Sequence, residues 1–115
     1  MNVTIGPASA DDLPVILDLL RRSKLPLDGF ARHIETAIVA REGTRIVGCA
    51  AVEIHGKGGL VRSLAVEISS RGLGLGHQLT EAVMNLARAR GVRTVYLLTE
   101  SAPEFFAKLG FARVT

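Results

Sequence analysis

The chain of 115 residues has one cysteine, one tyrosine, four phenylalanines and no tryptophan. A lone Cys49 excludes an internal disulfide and argues against a cysteine-based zinc site, a pattern that suits a reducing cytoplasm. A small core residue is expected there, with a reactive thiol as the alternative. His33, His55 and His77 are widely separated, without a helical His-x-x-x-His pair, so no metal is expected. No apolar run is long enough to span a bilayer, and Met1 does not open a charged-then-apolar leader. The expectation is a soluble, cytoplasmic protein without a membrane partner. Aromatic residues are too few, and basic residues too scattered, to form a nucleic-acid-binding stripe. A net charge of +3 instead favours a small anionic molecule. The length suits one domain, residues 1–115, with one core.

Glycine, by contrast, is abundant, and its placement is informative. Arg71-Gly72-Leu73-Gly74-Leu75-Gly76 lies between the apolar run Leu64-Ala65-Val66 and a long helical pattern. A strand that ends in such a turn and restarts as a helix leaves backbone N–H groups unpaired at the positive end of the helix dipole. That arrangement suits a phosphate. No Gly-Lys-Ser/Thr ending follows, which excludes a P-loop. A dinucleotide fingerprint also fits poorly, because the turn follows a hairpin in mid-chain and does not open a βαβ unit.

The remaining pattern alternates strand and helix. Strands are expected at Asn2 to Gly6, Ala37 to Arg41, Arg45 to His55 and Leu60 to Val66, the last three forming an antiparallel meander through Glu42-Gly43-Thr44 and Gly56-Lys57-Gly58-Gly59. Ser9 and Asp12 cap a helix carrying Leu13, Ile16, Leu17 and Leu20, with Pro14 in its first turn. A short helix is expected through Phe30 and Ile34. Leu75, Leu79, Ala82, Val83 and Leu86 recur at helical spacing up to a stop at Gly91. Val92 to Leu98 reads as a buried strand, Pro103 opens a short helix, and Phe111 to Val114 begins a last strand. The expected fold is mixed α/β (α+β), with helices flanking a largely antiparallel sheet.

Arg71, Gly74 and Gly76 match Arg-x-x-Gly-x-Gly, the pyrophosphate-binding motif of the GNAT superfamily of acyl-CoA-dependent N-acyltransferases. With the Leu64-Ala65-Val66 strand and Ala102-x-x-x-Phe106-x-x-x-Gly110-Phe111, the chain resembles that family from Val3 to Val114. Ser23 to Phe30, Val61 to Val66 and Val95 to Thr99 look like its arsenic-resistance N-acetyltransferase branch. GNAT domains usually continue beyond the position of Phe111, so either the C-terminus is truncated or another chain completes the sheet edge as a homodimer.

The resemblance implies transfer of an acetyl group from acetyl-CoA to the amine of a small molecule, anionic or arsenic-containing, by direct attack. Backbone amides from Leu73 to His77, across Gly74, Leu75 and Gly76, would receive the pyrophosphate. Gly72 belongs to the same turn, and Arg71 is either a charged contact or a solvated side chain. The main chain of Leu64, Ala65 and Val66 would pair with the pantetheine arm. Phe106 stands where family members commonly place a tyrosine proton donor, which leaves Tyr96 as a substitute acid or a packed ring. Glu53, His55 and Glu100 are candidate bases, with a water relay from Glu53 preferred. Arg62, with Ser63 and the cations Arg21, Arg22 and Lys24, would hold an anionic acceptor, or else Arg62 forms a surface salt bridge. The alternative function is an acyl-CoA-binding sensor without turnover.

Overall fold

The computed structural model describes residues 2–97, 103–108 and 110–112. Strand β1 is Val3–Pro7, helix α1 is Leu13–Arg22, and strands β2, β3 and β4 are Ala37–Glu42, Arg45–His55 and Gly58–Val66. Helix α2 is Leu75–Ala89, strand β5 is Thr94–Leu97 and helix α3 is Pro103–Lys108. The five strands lie in chain order, antiparallel from β1 to β4 and parallel between β4 and β5. A mixed sheet flanked by helices is therefore the architecture, and α2 is the crossover that the parallel pair requires.

The two faces of the sheet bury separate cores. Ile38, Ala40, Val47, Ala50 and Val52 meet Leu75, Leu79, Val83 and Ala87 of α2. Ala37, Val39, Ile46, Cys49 and Ala51 meet Ile16, Leu19 and Leu20 of α1 and Phe30. β3 is thus covered on both sides, which is why its sequence is nearly continuously apolar and lacks strict alternation. Gly48 lets α2 sit close: a Cβ there would lie 2.8 Å from Leu79 Cδ1 and 3.2 Å from the Ala65 carbonyl.

Several expectations need correction. The short helix expected through Phe30 and Ile34 is of 3-10 type over residues 30–36, broken by a non-helical kink at His33. β4 starts at Gly58, so the hairpin turn is tighter than its glycine run suggests. β5 is covered on one face only: Val95 and Leu97 pack against the core under α2, whereas Thr94 and Tyr96 are exposed. Leu98, Thr99, Glu100, Ala102 and the last strand beyond Ala112 lie outside the described residues.

Helix α1 ends without glycine. Lys24 takes the left-handed conformation at φ 59°, with Leu25 N–H donating to the Leu20 carbonyl and Lys24 N–H to the Arg21 carbonyl. This is a Schellman stop, with lysine at the position glycine usually fills, at a cost of roughly 1 kcal/mol. Arg22 then clamps the Glu67 carboxylate with two bonds of 2.7 and 3.0 Å, tying the helix end to the segment after β4.

The hydrogen bonds from Arg22 hold Glu67 below its ordinary carboxylate value of 4.5. Stability from this pair is present above that value and is lost as pH falls through the lowered one. Thermal melts should show Glu67→Gln lowering the melting temperature by a few degrees at neutral pH, with the difference from wild type vanishing on acidification. An unchanged difference at low pH would count against the pair.

Candidate functional site

β4 pairs with β5 from Gly58 to Val61, which lies opposite Leu97. On its other side β4 carries a bulge: Cys49 pairs with Ala65 and Ala51 with Arg62, so Ser63 and Leu64 together oppose Ala50. Ser63 sits at φ 61°, in the left-handed region. Bulges of this kind bend a strand and redirect its peptide groups. Here the result is a groove of about 1150 Å³, lined by residues 61–66 of β4, the start of α2, the loop after α1, Leu97 and two phenylalanines of α3.

The glycine turn forms part of this groove. Gly74 adopts φ 79° as the N-cap of α2, and Gly72 adopts φ 84°. A Cβ at either position would enter open space, not protein. Among the described residues, the N–H groups of residues 72–77 donate to no backbone acceptor, as the first turn of a helix requires. An anion is the natural partner for them. Arg71 Nε donates to the Val66 carbonyl at 3.1 Å, locking the turn onto the end of β4. Gly76, in the first turn of α2, also lines the groove, and a Cβ there would press on Phe105 Cζ at 3.2 Å. The Leu73 side chain is half exposed and does not line the groove, whereas Leu75 and His77 do. His77 Nε2 is 2.7 Å from Glu81 Oε1.

Four residues along β4 from Val66, and only about 10 Å away along the strand because the bulge takes up one residue, stands Arg62. Its Nη1 donates to Glu53 Oε2 at 3.1 Å, its Nη2 to the Asp28 carbonyl at 2.9 Å and its Nε to Ser63 Oγ at 3.3 Å. Both readings of Arg62 therefore meet in one side chain, which forms a salt bridge and lines the groove. A guanidinium has five N–H donors, so donors remain for a ligand. Lys24 also lines the groove, but Arg21 and Arg22 are engaged by Asp18 and Glu67 and do not.

The acid and base candidates fare less well. Hydrogen bonds from His55 and Arg62, with the nearby charge of His33, hold Glu53 below the usual carboxylate range. Such a carboxylate resists taking a proton at neutral pH, and Glu53 does not line the groove. Tyr96 does not line the groove: it is 54% exposed and borders a second cavity of about 420 Å³, which Leu97 lines as well as the groove. Phe106 lines the groove, stacked edge-on between Phe105 and Phe111 at 5.0 and 6.0 Å, and has no proton to give. Glu100 lies outside the described residues.

Cys49 is fully buried and donates to the Ser63 carbonyl at 3.3 Å, and burial pushes its thiol up to about 12. It is a core residue that braces the bulge. The bulge itself left no signal in the sequence, because Ser63 is not a residue type that announces positive φ, and the same holds for Lys24 at the end of α1. No helix of the described residues is long and apolar enough to cross a membrane. Among the same residues, no group of three or more His, Cys, Asp or Glu could hold a metal ion.

Comparison with known proteins agrees with this geometry. The family model of the acetyltransferase (GNAT) domain matches residues 33–113. An amino-acid acetyltransferase of Pseudomonas syringae pv. syringae is 36% identical over 96 residues, covering 81% of this chain and 21% of the relative. The chain thus spans about a fifth of that protein's length. An amino-acid acetyltransferase of Mycobacterium tuberculosis is 32% identical over 71 residues, covering 61% of this chain and 40% of the relative. Among solved structures, Rv2747 of Mycobacterium tuberculosis in complex with CoA superposes with a TM-score of 0.88 at 26% identity, over 97% of this chain and 73% of that one. N-acetylglutamate synthase of Neisseria gonorrhoeae, complexed with coenzyme A and L-arginine, gives 0.87 at 26% identity, over 98% and 28%. These relatives are named for amino acids and not for arsenic resistance. With its glycine turn at the head of α2 and its groove along a bulged β4, the chain belongs to the GNAT acetyltransferase family.

Proposed function

We propose that this domain transfers an acetyl group from acetyl-CoA to the α-amine of a small anionic amino acid. The observation that carries the reading is one groove with unpaired backbone N–H groups at the α2 turn and two cations, Arg62 and Lys24, further along it. Acetyl-CoA supplies an activated acyl thioester, whose acetyl passes to the amine nitrogen as the C–S bond breaks, the thiolate leaving and the amine proton going to solvent.

The residues of this chain bind and orient. The N–H groups from Leu73 to His77 hold the pyrophosphate, with Gly72 and Gly74 leaving room for it. Leu64 and Ala65 offer main-chain groups to the pantetheine arm, as an added strand would use them. The Val66 carbonyl is already taken by Arg71. An N–H near Ala65 polarises the carbonyl. Arg62 and Ser63, with Lys24, take the carboxylate of the acceptor. No side chain in the groove needs to act as acid for the departing thiol, whose ordinary value is about 8.5. The proton steps pass through water.

The names of the relatives support an amino acid over other amines, and the cations support an anionic one. Amino-arsenicals share that anionic head group and belong in the same test. A second copy of the chain pairing with β5, an edge strand among the described residues, is the assembly we infer, read by light scattering.

Free thiol release from acetyl-CoA should be followed across acidic, neutral and basic amino acids, aminophosphonates and amino-arsenicals, with acetyl-CoA binding measured by calorimetry. Turnover confined to anionic amines is the expected result; tight binding with no turnover would make the domain an acyl-CoA sensor. Gly74→Val should weaken acetyl-CoA binding by about tenfold or more, since a β-branched residue at positive φ costs roughly 1–2 kcal/mol and also intrudes on the phosphate. Arg62→Gln should raise the acceptor KM by about 10- to 100-fold, the loss of a charged hydrogen bond worth roughly 1.5–3 kcal/mol, while the KM for acetyl-CoA stays constant.

A further inference from the structure

The Glu53 carboxylate on β3 is the meeting point of three cation-forming side chains. Arg62 Nη1 donates to Oε2 at 3.1 Å, His55 Nε2 lies 3.0 Å from Oε1, and His33 Nε2 lies 3.5 Å from Oε2. Glu53 and Arg62 are only about a fifth exposed, whereas His55 is open to solvent. Of Arg62 and Glu53, the arginine alone lines the groove. The guanidinium plane is held from three directions: Glu53 on β3, the Asp28 carbonyl in the loop before the 3-10 segment, and Ser63 Oγ on β4.

We propose that Glu53 is a positioning residue that fixes Arg62 in the orientation required to receive an anionic acceptor. The inference rests on the acceptor role given to Arg62 above. An unanchored arginine samples many rotamers and loses that side-chain entropy when a ligand stops it. An arginine already held by Glu53 has lost that freedom before the ligand arrives. Only one of the guanidinium's five N–H groups is spent on Glu53, so donors remain for a ligand. The same contacts explain why Glu53 is unsuited to removing a proton from an amine: it does not line the groove, and Oε1 is occupied by His55 and Oε2 by Arg62.

The test is a double-mutant cycle with a direct probe of the side chain. Glu53→Gln, nearly isosteric, and Glu53→Asp, which keeps the charge one methylene back, are made alone and with Arg62→Gln. L-Glutamate and 2-amino-4-phosphonobutyrate serve as acceptors. Glu53→Gln should raise the acceptor KM by about tenfold with kcat and its pH profile unchanged, and should add nothing in the Arg62→Gln background. Glu53→Asp should fall between wild type and Glu53→Gln. In ¹⁵N NMR spectra, the slow-exchanging Arg62 Nε–H signal should broaden or vanish in Glu53→Gln. Additive effects, a sharp unshifted Arg62 signal, or a fall in kcat with a lost basic limb would overturn the proposal. If Arg62→Gln leaves the acceptor KM unchanged, the acceptor role of Arg62 fails, while the Arg62 signal still decides whether Glu53 positions it.

Discussion

The site depends on the bulge at Ser63 and Leu64, which bends β4 where it lines the groove. A sheet that stays paired satisfies its own N–H and C=O groups and has nothing to offer a ligand. By bulging at Ser63 and Leu64, β4 turns its next peptides into the groove. Holding a serine at φ 61° costs roughly 1–2 kcal/mol, which the surroundings must offset. The offset comes from below, where Cys49 donates to the Ser63 carbonyl and pairs with Ala65, within a core that excludes water. Lys24, the other non-glycine residue at positive φ, also lines the groove. Backbone strain is thus concentrated where a ligand would sit, in keeping with strain persisting only where the surrounding structure over-determines it.

The second element is α2. As the crossover between β4 and β5, it must begin near the C-terminal end of β4, so its dipole points at the same opening. Gly48 lets the helix settle on the sheet, and Arg71 joins the turn to Val66. Phosphate turn and bulged strand are therefore parts of one wall. Charge is divided accordingly. Arg21, Arg22 and Arg41 are engaged by Asp18, Glu67 and Asp12 and hold the scaffold, whereas Lys24 and Arg62 face the groove. The modest net charge of +3 conceals this separation.

Much of the fold was legible because the signals are local. The apolar periodicity of α2, the left-handed stop at Gly91, the meander and the glycine turn each depend on residues a few positions apart. β5 was misjudged for a physical reason: apolar character marks burial only if something covers both faces, and a strand's place in the sheet is not written in its own residues. Gly76 reads as a phosphate glycine, and only the fold shows that its missing side chain also makes room for Phe105, 29 residues along the chain.

The amino-acid sequence by itself determined that a strand would end in a turn rich in positive-φ glycine and restart as a helix with free N–H groups, since peptide geometry alone requires it. It also determined that no tyrosine hydroxyl stands at position 106. Only the tertiary structure decided the fates of Glu53, Arg62, Tyr96 and the arginines of α1. Glu53 is nine residues from Arg62, and Arg22 is 45 from Glu67. Whether a charged side chain serves as base, anchor or clamp is set by the partners that folding brings within about 3 Å, and a linear pattern carries no information about partners that far along the chain.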